Sequence, residues 1–227
     1  MDNFHLPAAV EEYSDARKAG FLKVKAAKEA GKQVAGCFCA FTPLEILDAA
    51  GLLTVSLCGM SPETIPAAET VLPRNLCPLI KSSYGFYLTD KCPYTYFADV
   101  IVGETTCDGK KKMYEYLGKI KHTHVMQLPP GQFGQGALAF WRSEVEALRK
   151  DLEQFYGIEI TDEAISRAIK LRNRERKAIL DYYKGGYSRP RGGGALGGCA
   201  AVVGVAGRDG FGRRGGLPAA QAGDRRL

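Results

Sequence analysis

Apolar residues along this 227-residue chain fall into short continuous runs separated by longer mixed segments. Four runs stand out: KQVAGCFC at 32–39, LLTVSLCG at 52–59, ADVIVGETT at 98–106 and HTHVMQL at 122–128. Each is short and apolar, so each reads as a buried strand. The segments between them carry helical signals. Residues 8–31 are dominated by Ala, Leu, Lys and Glu and end at Gly31. Thr42-Pro43-Leu44-Glu45 has the form of a capping box with proline at the first helical position, opening a helix that ends at Gly51. Cys77-Pro78 is a second such start, and CDGKKKMYEYLGKI at 107–120 is a basic amphipathic helix. Trp141, Val145, Leu148, Leu152 and Phe155 recur at helical spacing. A last helix follows Ile160-Thr161, with Asp162 and Glu163 in its first turn, and runs to about Tyr183. Strands alternating with helices predict an α/β fold: a parallel, Rossmann- or flavodoxin-like sheet with flanking helices, extended by two long helices suited to packing or to forming a dimer.

The pattern stops near residue 185. Residues 185–227 hold 14 of the 27 glycines, seven arginines, two aspartates and no lysine, and show no sustained period. Such a stretch reads as a GC-rich gene translated out of frame, with no prospect of burying a core. The alternative, a Gly/Arg-rich RNA-binding tail, calls for interleaved aromatics, and only Tyr187 and Phe211 are there. The expected organisation is an N-terminal helical segment at 1–30, an α/β domain at 31–140, a helical extension at 141–184 and a disordered tail at 185–227. The tail carries most of the net charge of +6, so the body is near neutral and nucleic acid is not an expected partner. No apolar run is long enough to span a membrane and no secretory leader is visible at the start, which makes the cytoplasm the expected location.

Seven cysteines then change the picture. In a reducing compartment they are not expected to form structural disulfides, and tight CxxC pairs typical of zinc sites are absent. Cys39, Cys77 and Cys107 each stand where a strand or loop turns into a helix. A helix N-terminus offers free N–H groups and partial positive charge, which stabilise anions. An iron–sulfur cluster is an anionic body held by thiolates. Three thiolates on three helix starts, gathered at the carboxyl edge of a parallel sheet, would hold one with an iron position open. Cys37 and Cys92 are further candidate ligands. Cys58, inside the strand-like TVSLCG, reads as a small buried apolar residue. Cys199 falls in the tail and carries no information.

Other polar residues have ordinary readings beside functional ones. Lys110, Lys111 and Lys112 read first as a solvated helix face, or as a screen for an anionic cluster. His122 and His124 read as surface or core residues. Glu45 is a helix-cap partner first and a candidate for proton transfer second. Ser82 and Ser83 read as exposed helix serines, with Ser82 a candidate contact for a carbonyl or anion. Gly103 and Glu104 sit where backbone could approach a ligand.

The segments CFCAFTPLEILDAAGLLTVSLCG, LPRNLCPLIKSSYGF, DKCPYTYFADVIVGETTCDGKKKMYEYL and HVMQLP together resemble the 2-hydroxyacyl-CoA dehydratase D-component family, which also includes benzoyl-CoA reductase subunits and double-cubane-cluster proteins. The resemblance covers roughly residues 30–130 and is closest to the double-cubane branch. It implies a [4Fe–4S] cluster on Cys39, Cys77 and Cys107, and an ATP-dependent iron–sulfur activator that delivers one low-potential electron. It implies elimination of water from a 2-hydroxyacyl-CoA through a ketyl radical, in a homo- or heterodimer. In the double-cubane branch the cofactor is an [8Fe–9S] cluster on six cysteines, and the organised part of this chain has six: Cys37, Cys39, Cys58, Cys77, Cys92 and Cys107. Family members continue into a second α/β domain, expected to be missing here. The readings are therefore an iron–sulfur dehydratase component, a double-cubane reductase of small molecules, a truncated non-catalytic fragment and, disfavoured by cysteine spacing, a zinc module.

Overall fold

A computed structural model of the chain describes residues 8–59 and 61–187. The order of elements is α1 (Ala8–Glu29), β1 (Val34–Cys37), α2 (Leu44–Ala49), β2 (Leu53–Ser56), a 3-10 turn (Pro62–Thr64), α3 (Ile65–Ala68), α4 (Pro78–Leu88), α5 (Pro93–Phe97), β3 (Val100–Glu104), α6 (Asp108–Leu117), β4 (Thr123–Met126), α7 (Ala137–Tyr156) and α8 (Asp162–Tyr187). All four expected strands form. The 3-10 turn, α3 and α5 went unforeseen because each is too short for a 3.6-residue period to register. The expected break at 185 lies within α8, which runs on through Tyr187; the rest of the expected tail lies outside the described residues. Among the described residues no helix is long and apolar enough to cross a membrane.

The sheet is wholly parallel, in the order β2-β1-β3-β4. Alternate side chains feed two cores, one on each face. Ala35, Cys37, Val100 and Val102 pack with Ile46 and Leu47 of α2 and with Leu148 and Leu152 of α7. On the other face Phe38, Leu57 and Ile101 pack with Ile80 and Tyr84 of α4 and with Met113, Tyr114 and Leu117 of α6. The periodic residues of α7 thus cover the sheet. After β1 the chain moves outward to β2 and then returns to place β3 on the opposite side of β1. The connections leaving the carboxyl ends of β1 and β3 go to opposite faces, which opens a crevice between them, and such switch points are where open α/β sheets bind ligands.

Two local expectations are corrected. The Thr42–Glu45 pair makes no capping box: α2 starts without a side-chain cap. The Thr42 hydroxyl donates instead to Glu104 Oε1 at 2.9 Å, and Glu45 pairs with Arg176 of α8. A buried carboxylate and a guanidinium give charge-assisted hydrogen bonds, which are stronger than a cap on a neutral backbone N–H. Ser82 and Ser83 are buried rather than exposed. The Ser82 hydroxyl donates to the Ser61 carbonyl at 2.6 Å, and Ser83 Oγ receives the Gly59 N–H at 3.0 Å, so both fasten the loop after β2 to α4.

Candidate functional site

The crevice between β1 and β3 brings the Cys39 loop to the segment that leads into Cys107. Cys39, expected at a helix start, lies instead in the loop between β1 and α2, two residues beyond the end of the strand, and is exposed. Its φ of 65° is one of two positive values among the described non-glycine residues. That left-handed conformation is costly for a side chain bearing a Cβ. It turns the chain over the end of β3, where Cys39 Sγ lies 3.7 Å from Thr106 Oγ1 and receives a hydrogen bond from Lys110 Nζ. Glu104, fully buried at the end of β3, holds the same loop from beneath by accepting from both the N–H and the hydroxyl of Thr42. Its second oxygen, Oε2, has no hydrogen-bond partner.

Cys107 is the residue before α6 and Cys77 the residue before α4, and neither thiol is used as a helix cap. Both are exposed. The two helix starts pack together: a Cβ on Gly109 would come 2.7 Å from Ile80 Cδ1 and 2.9 Å from Leu76 Cδ1. The loop leading to Cys77 is tied down by Lys81, whose buried ammonium donates to Glu69 at 2.7 Å and to the Arg74 carbonyl at 2.6 Å. The first turn of α6 is therefore the common neighbour of the Cys39 loop on one side and the Cys77 turn on the other. Tyr114 forms the floor. Its ring lies against Gly103, where a Cβ would fall 2.5 Å from the ring, and its hydroxyl receives the Glu104 N–H at 3.4 Å. Burial pushes the phenol well above its usual range, so it stays protonated.

The remaining cysteines divide. Cys37 is in the core, where burial and then the Glu104 charge push its thiol up to about 12. Cys58 is not buried as the sequence suggested: β2 ends at Ser56, so Cys58 belongs to the exposed loop beyond the sheet. It lines a cleft of about 690 Å³ together with Cys92, between apolar walls that include Phe21, Phe86 and Tyr94. The strand-end position was legible in the Gly59 that follows. Glu45 and Ser82, the candidate catalytic residues, are committed to Arg176 and to the Ser61 carbonyl. His122 and His124 both contact Asp151 Oδ2, at 2.8 and 3.2 Å. The contact between Lys110 and Cys39 carried no sequence signal, being 71 positions apart.

Among the described residues no three His, Cys, Asp or Glu side chains converge tightly enough for a single metal ion. A cluster makes a different demand, since its thiolates bind different irons of one larger body. The donor set suits that: three exposed thiols, free of capping duty, two of them on the residue before a helix and the third beside a lysine.

Comparison with known proteins gives the family. A model of the 2-hydroxyglutaryl-CoA dehydratase D-component matches residues 39–191. The chain belongs to the 2-hydroxyglutaryl-CoA dehydratase D-component family. Among its relatives, the Escherichia coli (strain K12) protein YjiM, named provisionally as a dehydratase subunit, is 54% identical over 185 residues, which cover 82% of this chain and 48% of that protein. The (R)-phenyllactyl-CoA dehydratase beta subunit of Clostridium sporogenes is 24% identical over 163 residues, covering 70% of this chain and 42% of the relative. A benzoyl-CoA reductase subunit of Thauera aromatica is 24% identical over 147 residues, covering 63% and 37%. The chain spans about half or less of the length of these relatives. The D-component match begins at Cys39 and takes in Cys77 and Cys107 as well.

Proposed function

We propose that this chain carries the cluster-binding half of an enzyme of the 2-hydroxyacyl-CoA dehydratase type, holding a [4Fe–4S] cluster on Cys39, Cys77 and Cys107. The observation that carries the reading is the meeting of the Cys39 loop and the Cys77 turn on the first turn of α6, at the switch point of the sheet. When bound, the cluster would supply one-electron transfer at low potential, with the electron coming from an ATP-dependent iron–sulfur activator and the substrate a 2-hydroxyacyl-CoA that loses water. The chain's own residues would do the rest. The left-handed turn at Cys39 aims one thiol across the crevice. Glu104 fixes that loop through Thr42, and the Lys81 clamp fixes the Cys77 loop. Tyr114 and Phe38, with ring centres 5.7 Å apart, close the floor against water.

The test is anaerobic reconstitution of the full chain with iron and sulfide. The expected result is a broad charge-transfer absorbance with about four irons per chain. Changing Cys39, Cys77 or Cys107 to Ala is expected to abolish it in each case. Full iron retention in Cys107→Ala overturns the assignment.

One observation favours a second reading, a double-cubane reductase: Cys58 is accessible and shares a cleft with Cys92. That reading requires about eight irons per chain, and a loss of roughly half of them in Cys58→Ala or Cys92→Ala. A Cys58→Ala protein with unchanged iron content rules it out.

A further inference from the structure

The cleft of about 690 Å³ that Cys58 and Cys92 share is lined by none of Cys39, Cys77 and Cys107. It opens nonetheless at the same edge of the sheet. Cys37 and Ser56 are partners in the β1–β2 register, and the Leu57 N–H donates to the Cys37 carbonyl at 2.9 Å, so the segments bearing Cys39 and Cys58 leave adjacent strands at one edge. The walls of the cleft are held in place. Phe21 of α1 stacks on Phe97 of α5, with ring centres 6.3 Å apart. Phe86 of α4 is seated on Gly59, where a Cβ would fall 2.8 Å from its ring. Tyr94 of α5 lies against Gly20 of α1, where a Cβ would stand 3.2 Å from the hydroxyl. The buried hydroxyls of the lining are engaged elsewhere: Ser83 Oγ donates to the Leu79 carbonyl at 2.8 Å and the Thr95 hydroxyl to the Cys92 carbonyl at 2.9 Å. Lys91, the one charged residue among the described lining, is ion-paired with Glu63. The two thiols pack much as apolar groups do. Nothing in this lining would compensate a charge taken out of water.

We propose that this cleft receives the acyl side chain of the substrate, and that this side chain is an aromatic or branched hydrocarbon group without charge. Concave sites of this size with apolar, aromatic walls bury the body of a small organic ligand. A carboxylate in the same place would lose its water and gain no partner. A side chain held here leaves its carbonyl end at the carboxyl edge of the sheet, the edge that carries the Cys39 loop. That the group belongs to a substrate rests on the dehydratase reading, with iron on Cys39, Cys77 and Cys107. That the cleft takes an uncharged apolar group rests on its lining alone.

The probes are two simple amides, 3-phenylpropionamide and succinamate, which differ at the far end: a phenyl ring in one, a carboxylate in the other. Saturation-transfer NMR on the full metal-free chain reads binding directly. N-ethylmaleimide labelling with and without each amide, followed site by site by mass spectrometry, reads where it occurs. For a ligand this small, phenylpropionamide is expected to bind in roughly the millimolar range. At about ten times its dissociation constant it is expected to slow labelling of Cys58 and Cys92 up to about tenfold, with Cys39, Cys77 and Cys107 unchanged. Succinamate is expected to give neither signal nor protection. Cys92→Phe, which fills the cleft, is expected to abolish the phenylpropionamide signal; should that variant not fold, the site-specific protection in wild type decides alone. No signal from wild type overturns the proposal. So does protection spread evenly over the exposed thiols, an equal effect from succinamate, or a signal that survives in folded Cys92→Phe. Protection of Cys58 and Cys92 in a chain that takes up no iron upholds the cleft and overturns the dehydratase reading. Uptake of about four irons per chain without that protection overturns the cleft and leaves the dehydratase reading standing.

Discussion

At the scale of single residues, the candidate site is assembled from exceptions. Cys39 adopts a backbone conformation normally left to glycine, and Glu104 is a carboxylate buried with one oxygen unpartnered. Both are costly, and both act on the same loop. Gly103 shows how tightly the floor is built. Its position faces the Tyr114 ring, with three ring carbons between 2.5 and 2.8 Å of where a Cβ would stand. The ring is held between the strand and Phe38 and has little room to yield. Gly103→Ala is therefore expected to destabilise the protein by about 1–3 kcal/mol, the usual cost of overpacking a core. Urea unfolding measures it, and an unchanged midpoint would mean that the ring shifts freely. If the chain holds the proposed cluster, the same substitution is expected to lower iron retention, because Tyr114 cannot move without disturbing Glu104 N–H and the end of β3.

Among elements, α7 is fastened to β4 by a small polar clamp. Asp151 on α7 accepts from His122 and His124, while the His122 ring stacks on Phe155 with centres 4.2 Å apart. Burial by itself raises the pKa of the Asp151 carboxyl, but the hydrogen bonds from His124 and His122 outweigh it and hold it below the usual carboxylate value. A carboxyl lowered on folding adds stability above its unfolded pKa and loses it as pH falls through the folded one. Asp151→Asn is thus expected to cost on the order of 1 kcal/mol at neutral pH. The gap to wild type should close as pH drops below about 4, the ordinary aspartate value. Thermal melts of both proteins from neutral to acid pH check this, and a gap that widens on acidification contradicts it.

The whole molecule is joined across a larger span by α8. Arg172 grips Asp48 of α2 through two hydrogen bonds of 2.6 and 2.8 Å, 124 positions apart in the chain. Leu148, Leu152 and Ile160 belong to the same core as β1, β3 and α2. Residues from β1 to α8 are accordingly expected to unfold in one cooperative transition. Calorimetry showing two separated transitions would contradict that. Burial raises the Asp48 carboxyl above its usual value even with Arg172 opposing the shift. Removing the guanidinium in Arg172→Met leaves a buried charge alone, at a cost of about 3 kcal/mol near neutral pH. Because Asp48 can then take up a proton, the cost is expected to shrink as pH is lowered.

The four strands, the long helices and the helix starts at Cys77 and Cys107 were legible in the sequence, because each rests on short-range rules: continuous apolar runs, a 3.6-residue period, and proline or acidic residues at helix starts. The family pattern was legible for the same reason, as local strings such as NLCPL and TTCDGKKK. What only the tertiary structure decided were the partners. The spacing of Thr42 and Glu45 specifies a capping box, yet a buried carboxylate 62 positions away took the threonine and an arginine 131 positions away took the glutamate. Ser82 and Ser83 read as solvent-facing until the loop after β2 folded over them. Cys58 read as core until the strand ended two residues before it. Lys110 read as one of three equivalent charges until β1 and β3 became neighbours and brought Cys39 within its reach. Local pattern determines where an element begins and which residues it offers. Strand order determines which of those residues face one another, and that is settled by burial of both sheet faces at once, across separations that no short window spans.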